Sequence, residues 1–247
     1  MNIHNIRLIS QQLANPQFTD AHELVSWMGM LQAQDYRMMR WATGIRLKRP
    51  SMKKIREAYD SGTIIRTHLF RCTWQLVAAE DVRWMLELCS DKNKRALDGY
   101  ATYSGHSISE KEYGQANELI YRSLSGHKSM KKDELSARLV ELGLPDDNHT
   151  LSIFLRRAEQ EGIVCSGNLD ERQNTYALMD ERVPMTNRFT KEESTATLAS
   201  KYFRSHSPAT FEDFAWWTNL SQKECREAIG SIREELFEEK YEDHTYY

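Results

Sequence analysis

Between Ser109 and Met179 the spacing of apolar residues switches from a helical to an extended period, and the order of that switch leaves few folds open. Ser109-Glu110-Lys111-Glu112-Tyr113 opens a helix to about Ser125, with Tyr113, Ala116, Leu119, Ile120 and Leu124 at helical spacing. Ser129 to Glu134 then leads into a second helix over Leu135–Leu142, closed by Gly143. A third runs from about Thr150 to Glu161 with Leu151, Phe154, Leu155 and Ala158 on one face, and Gly162 stops it. Ile163–Gly167 and Thr175–Met179 follow as two strands around the polar turn Asn168 to Asn174. Helix, helix, helix, hairpin is a winged helix.

The same order can be traced at both ends of the chain. In the N-terminal part, Asn5 to Leu13, Ala21 to Leu31, Tyr36 to Arg46 and Met52 to Ser61 read as helices, and Thr63 to Leu69 with Cys72 to Val77 as a hairpin. Glu80 to Leu88 resumes helix. In the C-terminal part Ser194 to Ser205, Thr210 to Thr218 and Gln222 to Glu239 read as helices, with Thr210-Phe211-Glu212-Asp213 and Ser221-Gln222-Lys223-Glu224 as capped starts. No hairpin is expected after them. The fold class is therefore mainly α with short β-hairpins, in tandem winged helix-turn-helix units over 1–89, 106–184 and 190–247, the last without its wing.

At 247 residues, 40% hydrophobic and 28% charged, the chain has the composition of a soluble globular protein with room for more than one core. No apolar run approaches the ~20 residues needed to span a bilayer, and no targeting signal is visible. Cys72, Cys89, Cys165 and Cys225 are scattered, as are the eight histidines, so reduced thiols in the cytoplasm are expected, with neither metal nor cofactor. The net charge of −3 is unevenly divided. Residues 1–85 carry 12 Lys/Arg against 7 Asp/Glu, whereas residues 190–247 carry 7 against 12. A basic N-terminal third suits contact with nucleic acid there.

In that basic third, Met30-Leu31-Gln32-Ala33-Gln34-Asp35-Tyr36-Arg37 places two glutamines one residue apart directly before a helix start. Side chains at i and i+2 diverge by about 200° on a helix but share a face of an extended segment. Asp35 as an N-cap would leave Gln32 and Gln34 on extended backbone, where uncharged amides with both donor and acceptor atoms can orient a water. Alone, the pattern reads first as a structural one, such as tying down a loop.

Its company narrows the choice. Leu31-Gln32-Ala33-Gln34-Asp35 with Arg37, followed by Ile65-Arg66-Thr67-His68-Leu69-Phe70-Arg71-Cys72-Thr73-Trp74-Gln75-Leu76-Val77 and Ala79-Glu80-Asp81-Val82-Arg83-Trp84, resembles the AlkZ-like winged-helix DNA glycosylases. The family typically reads Leu-Gln-Ala-Gln-Asp-Pro-Arg and then Arg-Thr-x-Leu-x-Arg-Gly-Thr-x-His-Leu-Val. The resemblance implies cleavage of N-glycosidic bonds of alkylated bases, crosslinked ones included, with the catalytic glutamines carried over onto Gln32 and Gln34. A sister branch has aspartate at the second position, so this chain falls on the glutamine side. It departs from the pattern at Tyr36 for Pro, Cys72 for Gly and Gln75 for His. Members usually continue into a C-terminal β-barrel, which these residues do not include.

The expected activity is that of a monomeric, monofunctional DNA glycosylase acting on N7-alkylated purines in double-stranded DNA, since no lysine is marked for a Schiff base. Gln34 would hold the attacking water and Gln32 the water or deoxyribose beside it; Asp35 is foremost a cap. Arg37, Lys48, Arg49, Lys53, Lys54, Arg66, Thr67, Arg71, Thr73 and Gln75 are the candidate DNA contacts, with the run from Lys48 to Arg56 equally readable as solvated surface. Phe211, Phe214, Trp216 and Trp217 read first as core of a helix and second as a platform for an exposed base. Arg156, Arg157 and His149 lie on a helix with a mixed face, which argues against groove insertion. A non-catalytic tandem winged-helix DNA binder is the alternative that the fold alone supports equally, and an interaction scaffold the one that the acidic C-terminal part favours.

Overall fold

A computed structural model describes residues 2–185 and 189–247. One order of elements occurs in it three times. First come α1 (Ile3–Ser10), α2 (Ala21–Met28), β1 (Leu31–Gln32), α3 (Tyr36–Gly44), α4 (Met52–Ser61), β2 (Ile64–His68) and β3 (Trp74–Ala78). The helix α5 (Val82–Tyr103) then bridges to α6 (Glu110–Leu124), β4 (Met130–Lys131), α7 (Lys132–Glu141), α8 (Asn148–Gln160), β5 (Val164–Ser166) and β6 (Thr175–Leu178). After α9 (Met179–Arg182) the last set is α10 (Lys191–His206), α11 (Phe211–Thr218), α12 (Gln222–Ser231), β7 (Glu239–Tyr241) and β8 (His244–Tyr246).

Each set builds the same small sheet. The short strand between its first two packed helices joins the inner strand of the hairpin, giving the orders β1-β3-β2 and β4-β6-β5. In the last set Ala209, between α10 and α11, takes that place by exchanging two backbone hydrogen bonds with Tyr247, at 3.1 and 2.9 Å. The middle hairpin pairs Val164 with Leu178 and Ser166 with Tyr176, within the two segments read as strands from the sequence.

Helix starts follow local chemistry. Ser109, Thr190, Thr210 and Ser221 each form a capping box with the acidic residue three positions on. Gly62 ends α4 at φ +79°, where a Cβ would come within 2.9 Å of Arg182 Cγ. That close approach lets Arg182 reach the carbonyls of Tyr59 and Asp60 and tie α4 to the middle set.

The expectations fail at four boundaries. The last set does have its wing, β7 paired with β8 through Lys240 and Thr245, and α12 stops at Ser231 instead of running to Glu239. Leu31 leaves α2 to become strand, because Gly29 at φ +72° ends that helix. The bridge α5 is 22 residues long, well past Leu88.

Burial explains why the β2–β3 hairpin is the hub. All five residues of β2 are buried, so it has no solvent face. One hydrophobic cluster joins Ile64 and Leu76 to Leu24, Met39, Ile55 and Tyr59. Another joins Ile65, Phe70 and Val77 to Leu198, Tyr202, Phe203 and Phe214 of the last set. The middle set packs its own core around Tyr113, Ile120, Leu135, Phe154 and Tyr176.

Candidate functional site

Asp35 caps α3 by accepting from the backbone N–H groups of Arg37 and Met38, both at 2.8 Å, and those bonds, chiefly that of Met38, hold its carboxyl below the usual range. The chain before the cap is extended. Burial alternates along it, with Leu31 and Ala33 inside and Gln32 and Gln34 exposed, so the two amides share a face. Gln32 lies opposite Gln75 in the β1–β3 ladder, and the Ala33 N–H continues the ladder to the Trp74 carbonyl at 2.9 Å.

Beneath this segment sits Arg66, only 2% exposed. Its Nε donates to the Ala33 carbonyl at 2.7 Å, Nη2 to the Gln34 carbonyl at 3.3 Å and Nη1 to Asn174 Oδ1 at 2.9 Å. Its guanidinium lies between the rings of Tyr36, at 4.2 Å, and Trp74, at 3.7 Å. Trp74 packs in turn at a tilt of 38° against His68, whose Nδ1 meets Glu159 Oε2 at 2.5 Å. The middle set thus supports the glutamine segment from below.

At the hairpin tip, Arg71 and Cys72 have φ of +59° and +52°, and the Cys72 and Thr73 N–H groups turn back to the Leu69 and Phe70 carbonyls. Two successive left-handed residues make a I′-type turn, which glycine fills without the strain a side chain brings. Thr73 Oγ1 and Gln75 Nε2 both donate to the Phe70 carbonyl, at 3.2 and 3.3 Å, and fix this tip. Burial pushes the Cys72 thiol up to about 11, which keeps it protonated and unreactive.

A cavity of about 510 Å³ opens beside Gln32, of the size that takes a small planar ligand. Its lining includes Gln32, Arg71, Thr73 and Gln75, then Met28, Met30 and Arg46, and His206, Trp216 and Trp217 of the last set. Gln34 stands outside this lining, on the same face of the strand. Gln75 Oε1 and Arg46 Nε are buried without a hydrogen-bond partner among the described residues. Burial pushes the His206 imidazole down to about 4, so it is neutral at pH 7.

The other expected contacts divide sharply. Arg37, Lys48, Arg49, Lys53 and Lys54 are exposed, with Lys53 3.8 Å from Glu57. Arg66, Thr67 and Gln75 are buried, which removes all three from the candidate phosphate contacts: the first is consumed by backbone carbonyls, and the other two lie opposite each other within the sheet, with Gln75 Nε2 on the Phe70 carbonyl. Arg157 on α8 is paired with Glu161, Glu110 and Asp98 and is likewise withheld from DNA. The aromatic cluster splits. Phe214 is fully buried and Trp217 packs on the core, but Trp216 is 70% exposed under the Arg71 guanidinium, 4.2 Å from its ring. Arg46 and His206 carry no local sequence signal, since only tertiary packing brings them to the cavity.

Streptomyces sahachiroi DNA glycosylase AlkZ has a similar fold, with a TM-score of 0.77 at 20% identity over 97% of this chain and 67% of that one. No curated protein matches the chain. The family model described as DNA glycosylase AlkZ-like matches residues 25–247, which include the glutamine segment, the hairpin and the cavity wall from the last set. The chain therefore belongs to the AlkZ-like DNA glycosylases, enzymes that hydrolyse N-glycosyl bonds in DNA.

Proposed function

We propose that this glycosylase releases N7-alkylated purines from double-stranded DNA by water attack, without a covalent enzyme intermediate. The observation that carries the proposal is the placement of Gln32 and Gln34 on one exposed face of a strand whose carbonyls Arg66 holds, beside a cavity of about 510 Å³. Alkylation at N7 makes the base a cation and a good leaving group. As the C1′–N9 bond breaks, the electron pair neutralises the base, water adds to the cationic C1′ and a proton is lost to solvent.

The protein then has to position the water and stabilise the sugar cation, and amide oxygens do both without titrating. Gln34 holds the water, and Gln32 at the cavity wall holds the water or the deoxyribose. Exposed Arg37, Lys48, Arg49, Lys53 and Lys54 supply phosphate contacts alongside, with Arg71 and Thr73 nearer the base. Crosslinked purines carry the same N7 charge and fall within the same proposal. So activated a leaving group needs no metal or cofactor, and a monomer in the cytoplasm suffices.

The test is direct. Purified chain incubated with duplex DNA containing N7-methylguanine should release free base and leave abasic sites, with strands breaking only after alkali. Binding without base release would favour a non-catalytic DNA binder.

A further inference from the structure

We propose that the indole of Trp216 is a charge-selective seat for the alkylated base, and that Arg71 occupies this seat in the structure. The inference rests on the proposed function for the identity of the base and adds how a cationic purine is told from a neutral one. Trp216 is 70% exposed, although its helix neighbours Phe214 and Trp217 turn to the core. Its exposed ring is covered by the Arg71 guanidinium at 4.2 Å. A guanidinium is a flat, delocalised cation, and an N7-alkylated purine is one too. The face that attracts the first attracts the second.

The surroundings support the same ligand. Trp216 and Arg71 line the cavity together with Gln32, so a base leaning on the indole is beside the glutamine segment. No carboxylate is among the twelve lining residues, which leaves aromatic faces as the favourable contact for a positive base. His206 is kept neutral at pH 7 and adds no opposing charge there. Arg46 does oppose a cation, but its Nη1 is held on the Ala42 carbonyl at 2.8 Å. When the base takes the seat, Arg71 moves off the ring and becomes free for a phosphate. The flexible, exposed side chain at a hairpin tip makes that exchange inexpensive.

Binding to two duplexes tests this without requiring turnover. One carries 2′-fluoro-N7-methylguanine, whose fluorine slows bond cleavage; the other carries 7-methyl-7-deazaguanine, which has the same shape and no charge. Wild-type protein should favour the charged base about tenfold, as a partly desolvated cation–π contact provides. Trp216→Ala should bring the ratio to within about twofold of unity and Trp216→Phe should leave it intermediate, at about threefold, with thermal melting confirming that both variants fold. Arg71→Ala, which empties the seat, should raise the ratio. Equal binding of the two duplexes by wild type, an unchanged preference in Trp216→Ala, or loss of preference in Arg71→Ala would overturn the proposal. A charge preference with no base release would leave this seat standing and remove the enzymatic reading; base release with no preference would do the reverse.

Discussion

Arg66 holds Gln34 through its backbone: the guanidinium Nη2 donates to the Gln34 carbonyl at 3.3 Å while Nε donates to Ala33 at 2.7 Å. The arginine therefore sets the direction of the glutamine side chains and is withheld from DNA. An extended segment so short has few ladder bonds of its own, and a buried charge placed beneath it replaces them.

Arg66→Ala would leave two carbonyls without their donor and empty the space between Tyr36 and Trp74, at a cost of about 3 kcal/mol in stability. Its signature is in the salt dependence. Binding of Arg66→Ala to undamaged duplex should keep the wild-type salt slope, whereas Lys53→Ala with Lys54→Ala should lower it by about one for each phosphate that is no longer neutralised. Titrations across salt concentration would separate the two roles.

Cys72 offers a stability test at the hairpin tip. Its φ of +52° costs a side-chain-bearing residue about 1–2 kcal/mol, partly offset in glycine by greater freedom of the unfolded chain. Cys72→Gly should therefore be more stable than Cys72→Ala by about 1 kcal/mol, a Tm difference of roughly 2–4 °C. Equal melting temperatures would mean that the turn carries no strain.

What the sequence disclosed and what it withheld follow from where each residue finds its partners. The Gln32–Gln34 face, the Asp35 cap and the middle hairpin were legible because neighbours within a few positions determine them. The burial of Arg66 was not, since Asn174 and Ser166 lie a hundred residues away and a basic residue in a motif reads equally as a phosphate ligand. The terminal wing was hidden for a different reason. Glu239 and Lys240 are exposed, so β7 has no apolar alternation, and the tight turn after it places Glu242, rather than Gly or Asn, at φ +53°. Trp216 shows the limit of periodicity itself: helical spacing put it with Phe214 and Trp217, but only the fold could show which of the three faces out.

His206 gives a pH signature. Burial lowers its folded-state value from 6.5 to about 4, so between those limits the unfolded chain takes up a proton that the folded protein does not. Stability from this group is full above pH 6.5 and is lost as pH falls toward 4, by up to about 3 kcal/mol. Urea melts of wild type and His206→Gln across that range should show a shallower decline in the variant. Parallel declines would place the acid sensitivity elsewhere.

Under the proposed function the two glutamines act on the water and sugar in the transition state and contribute little to ground-state affinity. Single-turnover release of N7-methylguanine, measured beside duplex affinity for the same DNA, tests it most directly. Gln34→Ala should lower the rate by about 10²-fold or more and Gln32→Ala by less, with affinity nearly unchanged in both. Wild-type rates of release in both variants, or a fall in rate matched by an equal fall in affinity, would contradict it.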